Sequence, residues 1–111
     1  MSARKTMTGG DTTPYVIFSK DMPNSLQLRN DTRVAHREFL ATQIALMIGA
    51  GPLMDDDGKG GVGSLTILDT EDRDVATRFA EADPYFRIGL FDSVTICRWK
   101  QTIRDGERVA T

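Results

Sequence analysis

The sequence predicts an α+β domain of ferredoxin-like topology, an antiparallel sheet with both helices packed on one face. Two observations predict it. Four short runs rich in β-branched and aromatic residues alternate with two amphipathic stretches in the order β-α-β-β-α-β. The chain has 111 residues, room for one domain, and its 40% hydrophobic and 27% charged residues are the balance of a folded chain.

Residues 1–13 are small and polar, with paired glycines, and read as a flexible tail. The domain is expected over residues 14–100. Tyr15-Val16-Ile17-Phe18-Ser19 reads as the first strand, ended by the turn cluster Asp21-Met22-Pro23-Asn24. A helix follows from Ser25 to about Gln43, with Asn24 or Ser25 as its cap. Leu26, Arg29, Arg33, His36 and Leu40 recur at three- and four-residue steps, so they share a face whose middle is basic. Leu28, Ala35 and Phe39 are expected to form an adjoining apolar stripe. A helix with a cationic band beside its buried stripe is placed to line a cleft.

Ile44 to Ala50 is apolar throughout and reads as a covered strand broken by Gly51-Pro52. Asp55 to Gly63 reads as a loop, and Ser64 to Asp69 as the third strand. Val75, Ala76, Phe79 and Ala80 give the second helix its apolar stripe, and Pro84 ends it near Asp83. Asp92 to Trp99 is the fourth strand, and residues 101–111 read as a polar arm. The first and fourth strands are apolar on both sides. A solvated sheet face would alternate with polar residues, so a second copy of the chain is expected to cover it. The alternative cover is the C-terminal arm.

Composition narrows the function. With 14 basic and 16 acidic residues there is no surplus of positive charge for nucleic acid. One cysteine and one histidine rule out an intrachain disulfide and a Cys- or multi-His-based metal site within one chain. No apolar run is long enough to span a membrane, and the first ten residues lack the apolar core of a secretory signal, so a cytoplasmic location is expected. Cys97 reads as a core thiol. Gly58 to Gly63 spells GxGxxG, but a strand follows it where dinucleotide binding needs a helix. Asp55-Asp56-Asp57-Gly58 lacks the alternating acids of a calcium loop.

The remaining candidate chemistry lies on the first helix. Arg29, Arg33 and His36 either form a solvated patch or line a site. Asp83, at the end of the second helix, is either a plain Asp-Pro turn or the partner of His36. Their contact is open at this level. Paired with a carboxylate, the imidazole would be held in one tautomer, ready to move a proton near neutral pH.

Several spread motifs resemble the YciI-like (YCII-related domain) family. They are Ser25-Leu26, Arg29, Arg33, Ala35-His36 and Leu40; Ala50-Gly51-Pro52-Leu53; Gly63-Ser64; Ala82-Asp83-Pro84-Tyr85; and Gly89-Leu90-Phe91 with Val94. The resemblance runs from Tyr15 to about Lys100. It implies a dimeric α+β barrel and a His–Asp site falling on His36 and Asp83. It also implies kinship with a dehydrochlorinase of a chlorinated hydroxyquinol that uses neither metal nor organic cofactor. The expected function is cofactor-independent proton transfer, with no metal or other cofactor, in an elimination or isomerisation on a small anionic or phenolic molecule. Arg29 and Arg33 would hold its oxyanion or carboxylate, and Ser64 and Tyr85 would line the pocket. The rival expectation is a dimeric module that binds or senses a small ligand without turning it over.

Overall fold

The computed structural model describes residues 13–110. The expected tail lies outside the described residues but for Thr13. Strand β1 (Tyr15–Asp21) leads to helix α1 (Leu26–Ala41), strands β2 (Met47–Met54) and β3 (Gly61–Leu68), helix α2 (Arg73–Ala82), a single-turn helix α3 (Pro84–Arg87) and strand β4 (Phe91–Arg98). The strands form one sheet in the order β2-β3-β1-β4, and every neighbouring pair is antiparallel. This is the α+β ferredoxin-like arrangement that the alternation of elements predicts.

Period-two alternation decides what each strand buries. Tyr15, Ile17 and Leu68 face α2 and join Ala76, Phe79 and Ala80 in the core. Phe39 and Leu40 of α1 pack against that cluster, and the Phe39 and Phe79 rings lie 5.2 Å apart. Ser64 and Thr66 share the helix-facing side of β3 with Leu68. In α2, Asp72 caps the first turn by accepting from the Asp74 backbone N–H.

The opposite face of the sheet carries Val16, Phe18, Leu65 and Ile67, paired across β1 and β3. Phe18 and Leu65 are exposed, so the C-terminal residues do not cover them. Those residues form a small hairpin instead, β5 (Ile103–Arg104) with β6 (Glu107–Arg108). Cys97 stands opposite Val16 on the same face and is exposed, which corrects the expected core thiol.

Three local expectations are also corrected. Ile44–Leu46 is a turn of 3-10 helix, and β2 begins only at Met47 and runs on through Gly51-Pro52. β2 is an edge strand, and an edge position tolerates a proline that cannot donate to the ladder. Ser25 sits at the N-cap of α1, but its hydroxyl donates back to the Met22 carbonyl. Leu28 and Ala35 are exposed. The side of α1 turned inward is set by Arg29, the one buried residue of the helix, and by His36, Phe39 and Leu40.

Candidate functional site

α1 lies above the β2–β3 half of the sheet, and the space between them is a cavity of about 490 Å³. Arg29, Arg33, His36, Ser64 and Tyr85 all lie on its wall. Asp83 stands behind the histidine.

The approach of His36 to Asp83 depends on the break between α2 and α3. Pro84 cannot continue α2, and Asp83 takes an extended backbone with ψ of 127°. The same proline starts α3, for which Asp83 is the N-cap. Its Oδ1 accepts from the Tyr85 backbone N–H at 3.0 Å and meets His36 Nδ1 at 2.8 Å. An ionised carboxylate only accepts, so opposite one Nδ1 would carry the hydrogen and Nε2 would be left free to exchange a proton. Both side chains are largely buried, at 16% exposure for His36 and 10% for Asp83.

The same cap positions Tyr85. Its ring stacks on the imidazole with centroids 4.0 Å apart and planes 14° from parallel. The Arg29 guanidinium carbon lies 4.7 Å from the Tyr85 ring centroid. Arg29 and His36 are two turns apart, about 10 Å along the axis. The Tyr85 ring therefore occupies the space between them. Phe91 closes on its edge at 6.0 Å.

Arg29 is committed to the protein through two of its nitrogens. Nε and Nη2 donate to the two oxygens of Asp21 at 2.6 and 3.1 Å. Nη2 also donates to the Gly63 carbonyl and the Ser64 hydroxyl. The sequence placed Arg29 and Arg33 on one face but did not anticipate Asp21, whose side chain reaches Arg29 from the end of β1. The absent Cβ of Gly63 matters here, because one built there would lie 2.3 Å from the Ser19 carbonyl oxygen. Arg33 is exposed and donates to Asn30. Arg37 and Lys59 also line the cavity. Neither was picked out from sequence, although Arg37 continues the four-residue step of Arg29 and Arg33.

Among the described residues no group of three or more His, Cys, Asp or Glu side chains could hold a metal. No helix among them is long and apolar enough to cross a membrane.

The model of the YCII-related domain matches residues 13–100. The chain belongs to the YCII-related family. Its curated relatives include Protein YciI of Escherichia coli, 33% identical over 94 residues that cover 78% of this chain and 96% of the relative. An uncharacterized protein of Haemophilus influenzae is 32% identical over the same shares. Among solved structures, this YCII-related chain resembles the 5-chloro-2-hydroxyhydroquinone dehydrochlorinase of Burkholderia phenoliruptrix in complex with 2,5-dihydroxybenzoquinone. The TM-score is 0.72 and the identity 35%, over 78% of this chain and 93% of that one.

Proposed function

We propose that this chain is an enzyme that moves a proton on a small phenolic or anionic molecule bound beneath α1. The observation that carries the reading is the 2.8 Å contact between His36 Nδ1 and Asp83 on the wall of a cavity large enough for such a ligand. Asp83 fixes the tautomer, and Nε2 acts as the base. In an elimination, Nε2 takes a proton from a substrate hydroxyl or carbon. The released electron pair forms a new double bond, and the leaving group departs with its bonding pair. In an isomerisation, the same nitrogen returns the proton at another carbon. Ser64 accepts from Arg29, which leaves its own hydrogen to donate to a ligand oxygen. Arg33 supplies positive charge on the same wall. The similar dehydrochlorinase, whose structure holds a dihydroxybenzoquinone, supports both the reaction class and the ligand class.

The apolar sheet face supports a second proposal, a homodimer formed by covering Val16, Phe18, Leu65 and Ile67.

The enzymatic reading is tested with 5-chloro-2-hydroxyhydroquinone and related chlorinated hydroxyaromatics, following chloride release. Turnover is expected, with kcat/KM lowered by roughly 10²-fold or more in His36→Ala. Equal turnover in that variant overturns the role of His36. Aromatics that bind and return unaltered overturn catalysis in favour of a ligand-binding module.

A further inference from the structure

The cavity wall is more basic than the proton transfer requires. Arg29, Arg33 and Arg37 follow one another at four-residue steps along α1. Like charges at this spacing destabilise a helix unless something neutralises them. Asp21 neutralises Arg29. The positions three and four residues from Arg33 are Arg29, Asn30, His36 and Arg37, and those from Arg37 are Arg33, Val34, Leu40 and Ala41, so neither has an acidic neighbour on its face. Lys59 faces the same cavity from the loop between β2 and β3. That loop also carries Asp55, Asp56 and Asp57, and Asp57 accepts from the Lys59 backbone N–H. None of these three acids lines the cavity. Among the described residues, no carboxylate lies within 4 Å of the side-chain nitrogens of Arg33, Arg37 or Lys59. This concentration is local, because the chain as a whole has a net charge of −2.

Burial divides the cavity wall. Arg29, Tyr85 and His36 are buried or half-buried, whereas Arg33, Arg37 and Lys59 are exposed, on the side of the wall open to solvent. Apolar walls from Leu26, Leu40 and Pro52 strengthen the field between these charges. The volume lies within the roughly 300–1,000 Å³ of sites that take drug-sized ligands, more than one bare ring needs.

We propose that the substrate carries a permanently anionic group, a carboxylate or a phosphate, gripped on the open side of the wall by Arg33, Arg37 and Lys59 while its reacting atoms lie at His36. This rests on the proton-transfer reading and sharpens its substrate class. The ligand has two ends, and only one of them reacts.

Calorimetric titration at low salt compares hydroquinone, 2,5-dihydroxyphenylacetate and 4-hydroxyphenyl phosphate on the full chain. At least one anionic probe is expected to bind roughly 10-fold or more tightly than hydroquinone, as one net charge-assisted hydrogen bond provides. The tighter of the two assigns the group as carboxylate or phosphate. The advantage should shrink as salt is added and be lost in Arg37→Met and Lys59→Met, while Arg78→Met, on the exposed side of α2, retains it. Melting temperatures close to that of the unaltered chain confirm that the variants are folded. Equal affinities for all three probes, no measurable binding of either anion, or an advantage retained in both Arg37→Met and Lys59→Met overturns the proposal. The two readings fail separately. An anionic advantage that persists in His36→Ala with unchanged turnover removes the proton transfer and leaves the anion subsite. Lost turnover without an anionic advantage does the reverse.

Discussion

Replacing Asp21 by alanine should damage this protein more than any change to a surface charge. The Asp21 and Arg29 side chains are 5% and 6% exposed and meet through two hydrogen bonds. Removing one partner of such a pair leaves a buried charge without compensation, at a cost of about 3–5 kcal/mol. Against the roughly 5–15 kcal/mol that holds a domain together, this is a large fraction. For a domain of about 100 residues it corresponds to a fall of about 15–30 °C in Tm. Thermal unfolding followed by circular dichroism reads it directly. The double variant Asp21→Leu with Arg29→Met should recover part of the loss, because it removes the charge along with its partner. Recovery should be incomplete, since the Gly63 carbonyl and Ser64 hydroxyl also lose a donor. A loss below about 1 kcal/mol in Asp21→Ala, the worth of an exposed pair, would refute the reasoning.

The other predictions concern the site and the sheet. The variant Asp83→Asn keeps an oxygen to cap α3, so stability should change by less than about 1 kcal/mol, while turnover in the chloride-release assay falls at least ~10-fold as control of the tautomer is lost. Gly63→Ala drives a methyl group against the Ser19 carbonyl oxygen and should cost about 1–3 kcal/mol in urea unfolding. Phe18→Glu places a charge on the uncovered sheet face, and sedimentation should show the proposed homodimer shifting to monomer. The fifth prediction is the loss of turnover in His36→Ala.

Much of this architecture is legible in the sequence because strand and helix periodicities differ. The apolar stripe of α2 identifies its buried face directly, whereas β1 is apolar on both sides and the sequence alone does not say which side meets the helices. The edge strand was harder. Gly51-Pro52 reads as a breaker when its place at the sheet edge is unknown, and that place depends on chain topology. α1 misled for a related reason. Counting apolar residues turns Leu28 and Ala35 inward, but the helix is rotated by polar attachments, Arg29 to Asp21 and His36 to Asp83, whose partners come from other elements. Arg29, Arg33 and Arg37 look alike along the chain. Only the end of β1 distinguishes the first as a buried strut and leaves the other two on the open side of the cavity wall.

One oxygen of Asp83 both seats the first turn of α3 and meets the imidazole. The acid is therefore tethered to the main chain and cannot swing to follow an incoming molecule. Whatever enters must align itself to a stationary ring, so selectivity falls to the shape and charge of the doorway.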